Sequence, residues 1–330
     1  MLILNHNLYI PSINAYIDPL KPVDKALITH AHADHARPNH NKVLATEDTI
    51  NIMKIRYGNN CAKNFQIANY SDRIYFDGAF ITFYPAGHIL GSAQILIESK
   101  GKKVLVTGDY KTVQDETTQN FQLVKTDFIV TEATFGLPIF KHPKPTSEIK
   151  KLTNSVKNEL NKNHLIGAYA LGKSQRLISL LREEGYDDEI YIHGALEKIS
   201  DYYNYKNIKL GKLKKINKEN KSKIKGKIII APPSALKDRW SRNIPDTKLC
   251  LASGWMSVKQ RAKQKLVELP LIISDHSDWS ELTNVIKESD AKKVWITHGR
   301  EEALKYWCKL NNIDADALSI KKSEDNFWKT

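Results

Sequence analysis

Short apolar runs of strand length fill the first 145 residues and return after residue 270. They predict strands within 1–20 and at 26–28, 74–78, 79–84, 93–98, 103–107, 127–131, 271–273 and 294–297. An Asp-Gly pair at 77–78 and the segment 99–102 predict turns between neighbouring strands. One helix is predicted over 46–58, where Thr46 and two acidic residues give a start signal. This part of the chain is therefore predicted to be rich in β-structure.

Between about residues 146 and 269 the pattern changes to alternating helices and strands, which is typical of an α/β unit. It predicts helices over 147–161 and 173–184, and strands over 165–171, 189–192, 228–231 and 249–252. Because the β-rich pattern returns afterwards, an insertion into one domain explains the order more simply than two consecutive domains. Within the unit, residues 206–227 hold ten lysines and one acidic residue, Glu219. Such a run is either a solvated loop or an arm that faces nucleic acid.

Four potential metal ligands follow the first buried strand. They are His30, His32, Asp34 and His35, directly after the run 26–28. Imidazole nitrogens and carboxylate oxygens suit zinc and neighbouring divalent metals. At a strand end, His30 and His32 point the same way because strand side chains alternate. The spacing favours a pair of metals over one closed tetrahedral site. Taken alone, the segment could also be a solvated histidine-rich loop.

Further chemistry-bearing residues follow other β-rich runs. They are His88, Asp109, Glu132, His276 and His298. Their loops can gather along one edge of a sheet, the common arrangement for active sites. Asp18, at a proline turn before the histidine cluster, either orients one histidine through its second ring nitrogen or serves only the turn.

Composition restricts the partners. The chain has 330 residues, with 50 Lys and Arg against 37 Asp and Glu, a formal charge of +13. Such a field favours a polyanion such as nucleic acid, although a lysine-rich bias of the whole surface is the alternative. Three scattered cysteines without a CxxC pair predict a reducing, cytoplasmic setting. No apolar stretch is long enough for a membrane span, and no membrane partner is expected.

Residues 167–174 match the phosphate-loop expression GxxxxGK[ST]. The apolar run 165–171 continues through the first glycine, so the strand is predicted to end near Gly172, with a loop too short for a triphosphate. No nucleotide cofactor is therefore expected. Lys173 and Arg176 could still bind a single phosphate at the helix N-terminus. Three other residues of this unit are candidates for substrate contact, with simple turn chemistry as the alternative for the last two: His193, Ser253 and Gly254.

The motifs HxHxDH at 30–35, AGHxxGS at 86–92, GDY at 108–110, TEATFG at 131–136, SDHSD at 274–278 and THG at 297–299 occur in this order. Together they resemble the metallo-β-lactamase superfamily and its nucleic-acid-cleaving β-CASP branch. The segments 85–94, 108–111, 134–138 and 252–256 look most like the bacterial ligase-associated DNA exonucleases. The resemblance implies an α+β fold, an αββα four-layer sandwich from 1–145 and 270–330, with an α/β β-CASP domain inserted over 146–269.

The resemblance also implies a two-metal site, with zinc expected and manganese as the alternative. His30, His32 and His88 would bind the first metal, Asp34, His35 and His298 the second, and Asp109 both. Glu132 and His276 match the acidic residue and the histidine of two further branch motifs. His276, held by Glu132, is then the candidate to protonate the leaving oxygen.

The activity implied by the resemblance is exonucleolytic hydrolysis of DNA in repair, with an association with a DNA ligase. RNA processing is the alternative, because His298 stands where RNA-processing members of the branch carry histidine. An inactive nucleic-acid-binding subunit is a more remote hypothesis, since every ligand position is filled.

Overall fold

The computed structural model of the chain describes residues 8–318. They divide into two compact units, one formed by residues 8–138 and 276–318 and the other by Ile139–Asp275. Assigning these units to the two domains named above stays a prediction. Among the described residues, no helix is both long and apolar enough to cross a membrane.

The first unit begins with a five-stranded sheet in chain order. Its strands are β1 (Tyr9–Ile10), β2 (Ala15–Ile17), β3 (Lys25–Leu27), β4 (His40–Ala45) and β5 (Ala62–Ile67). The pair β1–β2 is antiparallel and the other pairs are parallel. Helix α1 (Glu47–Tyr57) connects β4 to β5. It starts where the sequence predicts, because the Thr46 hydroxyl accepts the amide of Thr49 at 3.3 Å.

A second sheet follows with β6 (Arg73–Phe76), β7 (Ala79–Pro85), β8 (Ala93–Ser99), β9 (Lys102–Val106) and β10 (Phe128–Ala133). The strands β6 to β9 form an antiparallel meander, and β10 pairs with β9 in parallel. The predicted turns are confirmed. Asp77 and Gly78 connect β6 to β7 with φ of 47° and 99°, and Lys100 and Gly101 connect β8 to β9 with 49° and 72°.

The second unit contains a fully parallel six-stranded sheet with the strand order β13-β12-β14-β11-β15-β16. Its strands are β11 (Asn163–Gly167), β12 (Ile190–Ile192), β13 (Leu213–Lys215), β14 (Ile228–Ala231), β15 (Thr247–Ala252) and β16 (Leu269–Leu271). Its helices are α2 (Pro145–Asn158), α3 (Lys173–Glu183), α4 (Gly194–Tyr205), α5 (Arg239–Arg242) and α6 (Lys259–Gln264). The central strands are buried throughout, as parallel strands covered on both faces require.

The predicted end of the strand before α3 is wrong. The strand β11 ends at Gly167, and residues 168–172 form a loop. Two side chains from α3 hold this loop: the Ser174 hydroxyl donates to the carbonyl of Tyr169 at 2.7 Å, and the Gln175 amide donates to that of Ala170 at 3.0 Å. These bonds supply partners that a sheet would otherwise provide. The apolar run alone could not show that the backbone leaves the sheet.

The chain returns to the first unit with α7 (Trp279–Glu288), β17 (Lys293–Gly299), α8 (Glu301–Leu310) and β18 (Ala315–Ala317). The second sheet thereby has seven strands in the order β18-β17-β10-β9-β8-β7-β6. One apolar core joins the two sheets, and it includes Leu27 and Leu44 from one and Ile81 and Ile95 from the other. On the opposite face of the seven-stranded sheet, α7 and α8 contribute to a second core. These elements confirm the α+β class.

Candidate metal centre

The segment 30–35 follows β3 as an irregular turn. The amide of Ile28 still donates to Leu44 in β4, and the carbonyl of Thr29 accepts the amide of Ala93. The chain then turns at once, because the amides of His35 and Ala36 both donate to the carbonyl of His32. Every potential ligand of the segment thus leaves the sheet within one turn.

Asp109 lies at the centre of the predicted ligands. Its Oδ2 is 3.6 Å from Nε2 of His30, 3.4 Å from Nε2 of His35 and 3.8 Å from Nε2 of His88. Its Oδ1 is 3.8 Å from Nδ1 of His298. The Asp109 carboxylate is buried, so it meets imidazole nitrogens on several sides with little access to water.

A glycine brings Asp109 to this position. Gly108 has φ of +57°, and a Cβ there would lie 2.8 Å from the Thr29 side chain. The β9 loop can therefore approach the end of β3 only without a side chain at residue 108.

The loop after β7 presents His88 in a similar way. Gly87 has φ of +70°, and a Cβ there would lie 2.2 Å from the carbonyl oxygen of Lys111. The Ser92 hydroxyl accepts the amides of His88 at 3.0 Å and of Ile89 at 3.2 Å. The ring of His88 then faces that of His32, with Nε2 of His88 3.0 Å from Nδ1 of His32.

A β-bulge directs His298 toward Asp109. In the pairing of β10 with β17, Glu132 faces Thr297 and Ala133 faces Gly299, so His298 is the extra residue. His298 has φ of +53° and Gly299 has +140°. A Cβ on Gly299 would lie 2.0 Å from the carbonyl oxygen of Ala133. The glycine after His298 is therefore required for the bulge.

Glu132 and His276 meet beside this cluster. The two carboxylate oxygens of Glu132 lie 3.2 and 3.1 Å from Nδ1 of His276, and one of them accepts the amide of Tyr110 at 2.9 Å. Glu132 is buried. The Nδ1 of His276 is thereby engaged, while the same nitrogen is 4.0 Å from Oδ2 of Asp109. The Nδ1 edge of the His276 ring therefore faces the Glu132 carboxylate.

Asp18 contacts the edge of the centre. It accepts the amide and the hydroxyl of Thr29 at 2.8 and 2.5 Å, and its Oδ2 is 2.7 Å from Nδ1 of His35. The Nε2 of His35 is left facing Asp109. Asp34, in contrast, is exposed, as His298 also is, and its Oδ2 lies 3.9 Å from Nε2 of His35.

The buried donor atoms fit a divalent metal. Nε2 of His30, Nε2 of His35 and Oδ1 of Asp109 find no hydrogen-bond partner among residues 8–318. Buried polar atoms are normally paired, so three convergent exceptions mark a place where a cation could be held. Among the groups of side chains whose ligand atoms lie within 4.8 Å of one another are His30, His32 and His88 with Asp109, and His35 and His298 with Asp109. Nitrogen and carboxylate donors of this kind suit zinc.

Burial and neighbouring charges shift the pKa values of the cluster in opposite directions. Burial lowers the pKa of His30 well below its ordinary value, and the neighbouring His35 adds to this effect. Burial also disfavours a charged His35, but the Asp109 and Asp18 carboxylates outweigh burial and raise its pKa well above the ordinary value. Burial favours a neutral Asp109, but His35 and His276 hold the pKa of Asp109 well below its usual range. A proton at His35 therefore competes with a metal there.

The phosphate-loop residues lie in the second unit. Lys173 is buried, with its Nζ 2.6 Å from Oδ1 of Asp275, and Ser174 donates to loop carbonyls. Gly172 gives its amide to the Gln175 side chain at 2.8 Å. These bonds engage groups that a phosphate loop would present to its ligand. Arg176 is buried in α3.

The other candidates of the second unit stand at ends of parallel strands. His193 follows β12, accepts the amide of Ala195 at 3.0 Å as the cap of α4, and packs 4.6 Å from the Trp240 ring. Ser253 follows β15 and accepts the amide of Trp255 at 3.3 Å, and Gly254 begins a short 3₁₀ turn. Their contact with substrate stays a prediction.

The lysine-rich segment 206–227 is held by apolar side chains. Leu210, Ile216 and Ile224 are buried, and β13 forms an edge strand within the segment. Lysines of the segment pair with carboxylates: Lys214 with Glu189, Lys215 with Glu197 and Lys227 with Asp188. The segment is thus an ordered part of the sheet surface, and a role toward nucleic acid stays a prediction.

Lys111 and Glu281, which lie beside the centre, are not among the residues that the sequence predicts to be functional. They form a buried ion pair that joins the loop after Asp109 to the first turn of α7. Burial opposes the charge of Glu281, but Lys111 and several hydrogen bonds lower its pKa. The spacing of Asp278 and Glu281 matches a capping box, which could have revealed Glu281. No local pattern points to its lysine partner.

Comparison with known proteins gave no matching family model. A protein named "Probable DNA ligase" from Opitutus terrae is 24% identical over 92% of this chain and 30% of its own length. "Endoribonuclease ysh-1" from Neurospora crassa is 33% identical over 50% of this chain and 23% of its own length. An "RNase J-like protein" from Methanocaldococcus jannaschii is 28% identical over 53% and 48%. The chain thus spans about half or less of the length of these relatives.

Among solved structures, a protein of unknown function from Enterococcus faecalis V583 matches with a TM-score of 0.60. It shares 13% identity and covers 88% of this chain and 78% of its own, so it shows the fold alone. The relatives in sequence confirm the resemblance that the motifs indicate, to the β-CASP nuclease branch of the metallo-β-lactamase superfamily.

We expect Gly299→Ala to disrupt the centre through the bulge. A Cβ cannot fit against Ala133, and the forced backbone conformation costs about 1–3 kcal/mol. The variant should bind less metal per chain and unfold at lower temperature, as measured by elemental analysis and calorimetry. Gly101→Ala is the matched control, since φ is also positive there but nothing lies near its Cβ. Full metal content in Gly299→Ala would contradict the role of the bulge.

Acidification should release metal from the two donor sets in order. Metal ligation needs a neutral imidazole, and the raised pKa of His35 favours its proton, whereas His30 resists protonation. As the pH falls from about 8 to about 5, the set with His35 should lose its metal first. Equilibrium dialysis against zinc at each pH measures this. His298→Ala, which lacks part of the set with His35, should retain only the transition at lower pH; simultaneous loss in the unaltered chain would oppose this order.

Proposed function

We propose that the chain is a metal-dependent nuclease that hydrolyses phosphodiester bonds at a two-metal centre. In this proposal the first unit is an αββα four-layer sandwich, and the second is a β-CASP domain inserted into it. The observation that carries the proposal is the position of Asp109 between two sets of histidine nitrogens, in which the buried Nε2 atoms of His30 and His35 find no hydrogen-bond partner among the described residues. A bridging carboxylate with ligands on both sides is what a pair of cations requires.

The residues that would hold the metals follow from this geometry. His30, His32 and His88 surround one side of Asp109, and His35 and His298 the other. Asp34 completes the second set only if its exposed carboxylate turns inward from its present position. Zinc is the favoured metal, with manganese as the alternative. Bound divalent ions would activate a shared water and neutralise charge on the phosphoryl oxygens.

His276 is proposed as the acid that protonates the leaving oxygen. The buried Glu132 carboxylate holds Nδ1 of His276 at 3.1 Å, so the other ring nitrogen, Nε2, is the one that can give a proton to substrate. The same carboxylate stabilises the imidazolium from which that proton departs. Asp109, Glu132 and His276 then form the catalytic group, with Asp18 orienting His35.

DNA is the substrate that we propose first, degraded from an end during repair. The relative that matches 92% of this chain carries the name of a DNA ligase, and the match covers only 30% of that protein. A segment similar to this chain thus accompanies other regions in a ligase polypeptide, which supports a functional association with DNA ligation. The surplus of positive charge is compatible with any nucleic acid.

RNA is the second candidate, and specific observations favour it. Relatives named endoribonucleases reach 38% identity over 37% of this chain, and 33% over 50% of it. His298, which the motif comparison associates with RNA-processing members, lies 3.8 Å from Asp109. The two substrates therefore need a direct test.

Two substitutions separate metal binding from proton transfer. Asp109→Ala should abolish cleavage and lower the metal content, because it removes the carboxylate common to both sets. His276→Ala should keep its metal and lose about 10²–10⁴-fold in kcat, the usual contribution of a positioned acid. Cleavage rates and elemental analysis measure the two effects. Cleavage by His276→Ala at the unaltered rate would refute the acid assignment.

Matched substrates decide between DNA and RNA. Purified protein should receive end-labelled single-stranded DNA and RNA of the same sequence, with Zn²⁺ or Mn²⁺ and with an EDTA control. Mononucleotides released from DNA are the expected result. Internal fragments from RNA would establish the second candidate instead. Absence of cleavage with any metal would overturn the nuclease proposal in favour of a binding role, with Asp109→Ala as the control for contaminating nuclease.

A further inference from the structure

A buried ion pair lies outside the proposed ligands and connects the two loops that carry Asp109 and His276. Lys111 follows Asp109 by two residues, and its Nζ contacts Oε2 of Glu281 in the first turn of α7. The side chains are 5% and 12% exposed. A charged lysine at this depth is costly unless it is paired, so its presence calls for a physical reason.

Glu281 also binds the main chain of both loops. Its Oε1 accepts the amide of Thr112 at 3.1 Å, the hydroxyl of Thr112 at 2.6 Å and the amide of Val113 at 3.2 Å. Its Oε2 accepts the amide of Asp278 at 2.9 Å. One carboxylate thus connects the loop after Asp109 with the loop after His276.

Main-chain bonds join the same two loops nearer the centre. The amide of Ser277 donates to the carbonyl of Tyr110 at 2.8 Å. The amide of Tyr110 in turn donates to Glu132, which also holds the His276 ring. Together with Glu281, these contacts fix the position of the imidazole relative to Asp109.

Capping of α7 does not by itself explain the arrangement. The capping box requires Asp278 and Glu281, which exchange bonds with each other's amides at 3.0 and 2.9 Å. Neither bond needs a cation. Lys111 adds a charge that draws the Asp109 loop onto the helix start, and that is the feature left to explain.

We propose that Lys111 and Glu281 are positioning residues that set the place of His276 relative to Asp109, and hence the efficiency of proton delivery to the leaving oxygen. This inference rests on the proposed function, because it assumes that His276 is the acid. It assigns a positioning role to two residues that contact neither the donor atoms of the metal ligands nor the substrate.

Substrates with different leaving groups test this role. An oligonucleotide needs a proton on its leaving oxygen, whereas a 4-nitrophenyl ester of thymidine 5′-phosphate releases a stable anion that needs none. Lys111→Met should lose about 10²-fold in kcat on the oligonucleotide, the effect of a misplaced catalytic group, and much less on the ester. KM and metal content should stay unchanged.

Two further variants guard against a folding defect. Thr112→Val keeps the ion pair and removes one hydroxyl bond to Glu281, so it should fold normally and show a smaller loss with the same preference for the ester. Lys125→Met is the matched control, because Lys125 pairs with Asp290 on the surface, with exposures of 74% and 62%. It should behave like the unaltered chain on both substrates. Calorimetry of each variant reports its folding.

His276→Ala, measured in parallel, separates the two hypotheses. If His276→Ala and Lys111→Met both lose activity on the oligonucleotide but keep it on the ester, the inference is supported. Suppose instead that His276→Ala shows this selective loss, but that Lys111→Met and Thr112→Val lose activity equally on both substrates or on neither. The positioning role is then wrong and the proposed function stands. If His276→Ala shows no selectivity, the acid assignment fails and the positioning role falls with it.

Discussion

The structure of the first unit depends on the burial of one carboxylate, Asp109. Burial alone would drive this group toward its neutral form, yet the surrounding imidazoles keep its pKa well below the usual range. The imidazoles can approach Asp109 only because glycines in the surrounding loops leave room for close backbone contacts. A Cβ at Gly108 or Gly87 would meet a neighbouring side chain or carbonyl at 2.8 or 2.2 Å. The low pKa of Asp109 therefore depends on the glycines of the motifs, because they allow the imidazoles to come close to its carboxylate.

The gathering of the site residues at one sheet edge could be predicted, because residues that follow parallel strands come together at the same edge. The strands β9, β10 and β17 run parallel, so the residues at their ends meet at one edge of the sheet. Asp109, Glu132 and His298 occupy those ends, and the predicted turn at 77–78 sets the register of the preceding hairpin. Apolar periodicity and turn residues therefore locate the chemistry before any side chain is placed.

The features that could not be predicted arise from contacts distant in sequence. The bulge at His298 depends on the space between Gly299 and Ala133, which no local pattern reports. The strand β11 ends at Gly167 because side chains of α3 bind the following loop, although the apolar run continues. Asp34 reads like its neighbours in the motif but remains exposed. In each case a tertiary contact decides between conformations that the local sequence allows equally.

The same limit explains why a buried ion pair stands beside the centre. Lys111 and Glu281 are 170 residues apart, and the whole second unit lies between them in the chain. Covalent connection therefore does little to hold the Asp109 loop near His276, since closing so long a segment costs conformational entropy. Buried ion pairs add little net stability, but they penalise every arrangement that separates the charges. A paired lysine and glutamate thus restrict the relative position of two loops, which an apolar contact that tolerates sliding would do less well.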